Sequence, residues 1–142
     1  MKKMTATVII PTTGHCDLKR AVKSVLEQTY ETFAYVVVDG KDYENKAMTQ
    51  LEQLNNNKNL HICVLPKNVG RNNFYGHRIY ASFPHLVDTE YSLFLDQDNW
   101  YENNHVEECI KTIENNNLDW CYSLRNIYEN EKFICKDNCE SL

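Results

Sequence analysis

The sequence lacks the short motifs that mark several large protein classes. It contains no G-x-G-x-x-G after its first apolar segment and no G-x-x-x-x-G-K-[ST], so dinucleotide and P-loop binding have no support. It contains no G-x-S-x-G and no cysteine in a recognisable nucleophile motif, so hydrolase chemistry of those types has none either. No Asn-x-Ser/Thr acceptor occurs, so the asparagine runs indicate loops and helix ends rather than glycosylation.

Long apolar runs are also absent, and none approaches the length that crosses a bilayer. Met1-Lys2-Lys3 leads directly into a short strand pattern, so we expect neither a transmembrane segment nor a signal peptide. The formal net charge of -5 argues against a nucleic-acid-binding surface. The 142 residues suffice for one domain with a proper core and are too few for two ordinary domains.

A complete set of cysteine and histidine ligands for a zinc site is absent as well. The six cysteines are Cys16, Cys63, Cys109, Cys121, Cys135 and Cys139. Only the last two lie close together, and no second pair or histidine cluster completes a zinc site. Most of the others lie within apolar patterns, where a free cysteine behaves as a small hydrophobic residue. We therefore expect reduced thiols, as in a cytoplasmic protein, and we expect all five histidines to be structural.

Segments with strand and helix periodicity alternate along the chain. The predicted strands span residues 5–11, 33–38, 61–65, 91–95 and 120–124, with a short sixth strand over 132–135. One predicted helix follows a cap at Asp17, two more span about residues 44–54 and 72–83, and the last begins at residue 102 or 103. This alternation predicts an α/β fold with a mainly parallel sheet and helices on both faces.

Two carboxylates, Asp96 and Asp98, follow the apolar segment 91–95 directly. In a strand, side chains two residues apart point the same way, so both acids face one point. Two like charges repel each other unless a cation lies between them, and oxygen-only ligands suit a hard ion such as Mg²⁺ or Mn²⁺. The alternative is an ordinary polar turn between a strand and a helix.

Polar residues end the other predicted strands too. The strand ends are Pro11-Thr12-Thr13, Asp39-Gly40, Lys67-Asn68 and Asp96-Gln97-Asp98. In parallel sheets, ligands bind beyond the carboxyl ends of the strands, at the point where the strand order reverses. The strand ends therefore predict a rim that faces a ligand.

Most of the chain, about residues 7–124, resembles family-2 glycosyltransferases of the GT-A fold. In order, the resemblance rests on a strand ending in Pro11-Thr12, a helix closing with the letters SVLEQTY, a strand ending in Asp39-Gly40, the segments 68–70 and 78–81, and a D-x-D motif in the letters LDQD. The resemblance implies a GT-A (Rossmann-like) fold truncated after its donor-binding half. Residues 1–142 would then form a single nucleotide-sugar-binding domain.

The resemblance also implies roles in donor binding. Pro11 and Thr12 would line a nucleoside pocket, and Asp39 would accept a hydrogen bond from the base, which suits the N–H of uracil. The alternative for Asp39 is a strand-ending acid in an ordinary turn. Arg78 would face the diphosphate as a forked donor, whereas Arg71 is as consistent with an exposed surface charge.

By the same resemblance, Asp96 would contact the ribose or the water shell of a metal, and Asp98 would bind Mn²⁺ or Mg²⁺ directly. The implied reaction is attack by an acceptor hydroxyl on the anomeric carbon of the sugar, with inversion. Inversion requires a general base, which the resemblance places well past the D-x-D motif. The last acids, Asp137 and Glu140, are expected to be solvated, so no catalytic base is identified.

The leading hypothesis is therefore a metal-dependent enzyme that transfers a sugar from a nucleotide donor, a UDP-sugar for preference, to a glycan, lipid or protein hydroxyl. The alternative is a nucleotide-sugar-binding module without turnover, because the acceptor half and the general base are missing. A receiver-like signalling domain is disfavoured by the SVLEQTY segment and by the position of the D-x-D motif. The expected location is the cytoplasm, peripheral to a membrane only through further sequence or through the acceptor.

Overall fold

The computed structural model describes residues 5–137. Of these, residues 5–107 form one compact unit, and residues 108–137 form a second. Three features of the sequence analysis lie outside the described residues: the Met1-Lys2-Lys3 start, Cys139 and Glu140. Within residues 5–137, no helix is both long enough and apolar enough to cross a membrane.

A four-stranded parallel sheet organises the first unit. Its strands are β1 (Ala6–Thr12), β2 (Thr32–Val38), β3 (Leu60–Val64) and β4 (Tyr91–Phe94). The strand order is β3-β2-β1-β4, and all three pairings are parallel. The predicted mainly parallel α/β sheet is therefore confirmed. Since β2 and β4 flank β1 on opposite sides, the strand order reverses between β1 and β4, which is where such sheets bind ligands.

One α-helix follows each of these strands along the chain. The helices are α1 (Leu18–Leu26), α2 (Glu44–Leu51), α3 (His77–Ser82) and α4 (His105–Asn116), with short 3-10 helices at Lys41–Tyr43, Glu52–Leu54 and Phe83–His85. In α1, the buried residues Leu18, Ala21, Val22 and Val25 repeat at three- to four-residue spacing, which gives the helix one apolar face. Helix α4 contains the boundary between the two units.

The core of the first unit lies along its two central strands. Every residue of β1 is buried, as expected for a strand with neighbours on both edges and cover on both faces. Ile9 of β1 and Val37 of β2 form one buried cluster with Ile79 of α3 and Phe83. This cluster anchors α3 close to the carboxyl ends of the central strands, and so positions the residues just before and within that helix.

The prediction of a helix over residues 72–83 is wrong for its first part, since only His77–Ser82 is α-helical. Asn72, Asn73 and Tyr75 have φ angles of 64°, 63° and 45°, which a right-handed helix does not contain. Asparagine tolerates this left-handed region better than most residues do. The backbone N–H of Tyr75 donates to the carbonyl of Gly70 at 2.9 Å and closes residues 70–75 into a loop.

The prediction of a strand over residues 120–124 is also wrong. The second unit instead contains an antiparallel hairpin of β5 (Asn126–Glu129) and β6 (Lys132–Lys136), which confirms the predicted short strand near residues 132–135. Asn130 and Glu131 connect the two strands with φ angles of 49° and 64°, the conformation of a tight hairpin turn. This turn, rather than the apolar letters that precede it, determines which residues pair.

Two acids near the ends of the described chain behave differently from expectation. Asp17 occupies the N-cap position of α1, but its side chain makes no capping hydrogen bond and instead lies 3.6 Å from His15 Nδ1 and 3.8 Å from Arg20. Asp137 is not solvated, because its side chain is only 14% exposed and forms an ion pair with Arg125 in the second unit. The described cysteines are free thiols.

Candidate functional site

A cavity of about 510 Å³ lies at the carboxyl ends of the strands in the first unit. Its lining residues are Pro11, Thr12, Thr13, Asp39, Asn68, Gly70, Arg71, Tyr75, Gly76, His77, Tyr80, Asp96, Gln97 and Asp98. All four of the strand ends that the sequence analysis picked out contribute to this lining. The cavity lies beside the β1–β4 switch point, where an open α/β sheet binds its ligand.

The β1 and β2 side of the cavity is buried and held by the sheet. Pro11 and Thr12 end β1 and are buried, and the backbone N–H of Asp39 donates to the carbonyl of Thr12 at 2.8 Å. The side chain of Asp39 is only 4% exposed. Its Oδ1 accepts from the N–H of Val69 at 2.6 Å, and its Oδ2 accepts from the N–H of Gly70 at 2.8 Å. Asp39 therefore fixes the loop that follows β3.

Gly70 is required by the close approach that these hydrogen bonds produce. A Cβ at this position would lie 2.2 Å from the carbonyl oxygen of Tyr75 and 2.6 Å from Oδ2 of Asp39. Both distances are well inside van der Waals contact, and one neighbour is backbone. The Asp39 carboxylate still keeps acceptor capacity, because two oxygens offer about four lone-pair sites and these bonds use two.

The β4 side of the cavity is exposed and carries the acid pair. Asp96 and Asp98 are both exposed at the surface of the cavity. Oδ1 of Asp96 accepts a hydrogen bond of 2.7 Å from the hydroxyl of Tyr80, and the Tyr80 ring packs edge-on against Phe94 at 5.0 Å. Burial raises the pKa of Tyr80, and the hydrogen bond to Asp96 raises it further, so this hydroxyl remains a donor at neutral pH.

The acid pair fits a hard divalent cation. Both residues offer carboxylate oxygens to the same cavity, and its lining includes no cysteine or methionine from the part of the chain that the structure describes. Mg²⁺ and similar ions are typically held by one or two carboxylates together with substrate phosphates and water, so two acids are an adequate protein contribution. Elsewhere in the described chain, His15, Cys16 and Asp17 bring ligand atoms within 4.8 Å of one another, but this mixed N, S and O set is not the predicted site.

The two arginines are placed differently from each other. Arg71 lines the cavity. Arg78 is not among its lining residues: its Nη1 donates to the carbonyl of Val69 at 2.9 Å, and its guanidinium group lies 3.7 Å from the ring centre of Phe74. Both contacts hold the loop before α3. The structure thus brings Arg71, rather than Arg78, to the predicted rim.

Several lining residues have no role in the sequence analysis. His77, which we expected to be structural, lines the cavity, as do Tyr75 and Tyr80. Tyr75 has a left-handed backbone conformation, and it is 70% exposed although aromatic residues are usually more buried. Little in the sequence marks these residues, since their place depends on the loop over 70–75 and on the packing of α3. The position of Gln97 in the cavity lining could have been predicted, because Gln97 lies between the two acids of the D-x-D motif.

Comparison with solved structures identifies similar chains from S. aureus. The crystal structure of S. aureus TarS superposes with a TM-score of 0.63 at 22% identity, covering 80% of this chain and 20% of that one. The crystal structure of TarS 1–349 has a TM-score of 0.60 at 20% identity, covering 79% of this chain and 33% of that one. Its complex with UDP-GlcNAc has a TM-score of 0.61 at 20% identity, covering 79% and 32%.

These identities show a shared fold, and the chain spans only about a fifth to a third of the length of the matched structures. No curated protein matches the sequence. The family model described as glycosyl transferase family 2 matches residues 7–138, which is most of the chain, and confirms the resemblance seen in the sequence. The chain belongs to glycosyl transferase family 2.

Proposed function

We propose that this chain binds a nucleotide-sugar donor, a UDP-sugar for preference, in a metal-dependent transferase that inverts the anomeric carbon. The observation that carries the proposal is the placement of Asp39, Asp96 and Asp98 around one cavity at the switch point of the sheet. A volume of about 510 Å³ lies within the usual range for small-molecule sites. Asp39 is distant in the sequence from Asp96 and Asp98, and the parallel sheet brings it to the same cavity as the acid pair.

The buried side of the cavity receives the nucleoside. Pro11 and Thr12 supply its wall, and the remaining acceptor capacity of Asp39 takes the N–H of the base. Because Val69 and Gly70 already hold the carboxylate, it is oriented before the ligand arrives. A pre-oriented acceptor loses less entropy on binding than a free side chain would.

The exposed side receives the diphosphate. Asp98 would hold Mn²⁺ or Mg²⁺ directly, and Asp96 would contact the ribose or the water shell of the ion, with Tyr80 fixing one of its oxygens. When bound, the ion neutralises charge on the departing diphosphate. Arg71 is the better candidate for the forked phosphate donor, because it lines the cavity whereas Arg78 is bonded to Val69.

The reaction forms a bond between the acceptor oxygen and the anomeric carbon as the bond from that carbon to the diphosphate breaks. The acceptor is a hydroxyl of a glycan, a lipid or a protein, and its proton passes to a general base. That base stays unassigned. Asp137 is a poor candidate, because its carboxylate is engaged by Arg125.

Calorimetry with UDP, in the presence and absence of Mn²⁺, tests the donor site. We expect Mn²⁺ to strengthen UDP binding, and we expect Asp98→Ala to abolish that metal-dependent part. Asp119→Ala is a matched control, since Asp119 is an exposed acid outside the cavity and in the second unit. Absence of UDP binding by the wild-type chain with Mn²⁺ present would contradict the proposal.

A turnover assay separates the enzyme from a binding module that holds the same donor. If UDP binds, measurable release of sugar from a UDP-sugar, by transfer or by hydrolysis, supports the enzyme. Binding without release, under conditions where Asp98→Ala also loses its metal response, supports the module.

A further inference from the structure

Gln97 stands between the two acids of the exposed side and makes an unusual set of contacts. Its side-chain oxygen Oε1 accepts three hydrogen bonds from the last residue of β1 and the loop that follows it. The donors are the hydroxyl of Thr12 at 2.7 Å, the backbone N–H of Thr13 at 3.0 Å and the backbone N–H of His15 at 3.2 Å. One amide oxygen thus binds three groups that lie 82 to 85 residues earlier in the chain.

The chemistry of the donors determines the orientation of this amide. Backbone N–H groups only donate, so the atom that faces Thr13 and His15 is the oxygen and not the nitrogen of Gln97. The Thr12 hydroxyl donates to Gln97 and accepts from the N–H of Gly14 at 2.8 Å, so its hydrogen is also oriented. These hydrogen bonds form one connected network, in which each bond polarises and strengthens its neighbours.

The network joins the two sides of the cavity. Thr12 and Thr13 line it beside the proposed nucleoside site, while Gln97 lies one residue from each member of the acid pair. The β1–β4 register ends at Ile9 and Phe94, and one further bond joins Leu95 N to Ile9 O at 3.1 Å, whereas β1 continues to Thr12. Beyond that point, the Gln97 contacts set the distance between the two strand ends.

We infer that Gln97 is a positioning residue that couples nucleoside binding on the β1 side to cation binding on the β4 side. The inference rests on the proposed function, because it concerns the same donor. A nucleoside diphosphate spans both sides, so the two half-sites cooperate only when their separation matches the ligand. Small misplacements of reacting or binding groups cost up to about a hundredfold. Two coupled sites change each other's affinity by the same factor, typically about 5- to 150-fold.

The test measures the coupling rather than the affinity alone. Calorimetry gives the Kd of UDP with and without Mn²⁺, and the ratio of the two values is the coupling factor. In Gln97→Met, which keeps the length of the side chain but removes the acceptor, we expect this ratio to fall by at least about fivefold, at the low end of the usual range for coupled sites. Gln53→Met, the same change at an exposed glutamine outside the cavity, should leave the ratio unchanged.

Hydrogen exchange supplies a second readout that needs no ligand. Loss of the acceptor should raise exchange at the Thr13 and His15 amides, and Gln97→Glu, which keeps an acceptor oxygen, should restore their protection. If Gln97→Met fails to fold, Gln97→Asn, whose amide is one methylene shorter, supplies the same comparison. A lower melting temperature with an unchanged coupling ratio overturns the inference alone. Absence of UDP binding by the wild-type chain overturns the proposed function and this inference with it.

Discussion

The two sides of the cavity differ in how the protein holds them. Asp39, on the buried side, is 4% exposed and has both carboxylate oxygens bonded to backbone N–H groups. Asp96 and Asp98, on the other side, are exposed, and Asp96 is held by the hydroxyl of Tyr80. The first side is built into the central strands, whereas the second projects from the end of a four-residue strand.

This difference indicates that the structural order of the exposed side depends on a bound ligand more than that of the buried side does. The buried acceptor is already oriented, so binding of a nucleoside there should need little rearrangement. Two exposed carboxylates that face one cavity repel each other, so we expect their order to depend on a bound cation. We therefore expect the protein to keep the buried side formed when the metal is removed, and to lose order first around Asp96 and Asp98.

The largest expected effect comes from breaking the buried side with Asp39→Ala. The N–H groups of Val69 and Gly70 would lose their acceptor, and a buried donor left unsatisfied costs about 1–3 kcal/mol. We expect the free energy of unfolding to fall by about 2 kcal/mol in urea denaturation, since water can reach part of this loop. We expect UDP affinity to fall at least about tenfold in calorimetry, because a hydrogen bond to a charged acceptor is lost.

Asp42→Ala provides the control for that experiment, because Asp42 is an exposed acid three residues away and outside the cavity. A stability loss in Asp39→Ala without any loss of UDP affinity would contradict the donor role. Asp39 would then be a structural acid of the turn, the alternative that the sequence left open.

A smaller effect is expected on the exposed side from Tyr80→Phe. The change removes the hydroxyl that donates to Asp96 but keeps the ring that packs against Phe94. We expect a loss of about 1 kcal/mol or less in unfolding free energy, as for a typical hydrogen bond that water can replace. Calorimetry should show Mn²⁺-dependent UDP binding weakened about threefold, with metal-free binding unchanged. An equal loss in both conditions would show that Tyr80 does not act through the acid pair.

The smallest effect is expected from pH, through His105. Its ring stacks on Tyr101 at 4.0 Å, and the hydroxyl of Tyr101 donates to the carbonyl of Phe94 in β4. Burial lowers the pKa of His105 in the folded protein, so the unfolded chain binds the proton more readily. The contribution of neutral His105 to the free energy of unfolding is therefore fully present above a pH of about 6.5, and it is lost as the pH falls below that value.

Thermal unfolding of wild type and His105→Gln between neutral and mildly acidic pH measures this contribution. The variant should lose part of the decline in stability on acidification, whereas His85→Gln, at an exposed histidine, should keep it. The same pH dependence in His105→Gln and wild type would contradict the prediction.

Local patterns in the sequence were sufficient to predict the strands of the parallel sheet. The continuous apolar letters of β1 and β2 predict buried parallel strands, because burial on both faces removes the need for polar alternation. Asp39 follows β2, and Asp96 and Asp98 follow β4, so the geometry of parallel strands predicts these acids at one edge of the sheet. Local patterns failed over residues 72–76, where the φ angles follow from a hydrogen bond between Gly70 and Tyr75. They failed again over 120–124, where apolar alternation had no strand partner in the described chain.

The sequence by itself determined that this chain forms a parallel α/β sheet with Asp39, Asp96 and Asp98 at strand ends, because strand burial and strand termination are encoded by neighbouring residues. Only the tertiary structure decided which arginine lines the cavity and which residues hold the acid pair. Arg71 lines the cavity, whereas Tyr80 and Gln97 form hydrogen bonds with residues distant in the chain. A side chain whose partner lies more than 80 residues away, as that of Gln97 does, leaves no periodic signal in its own neighbourhood.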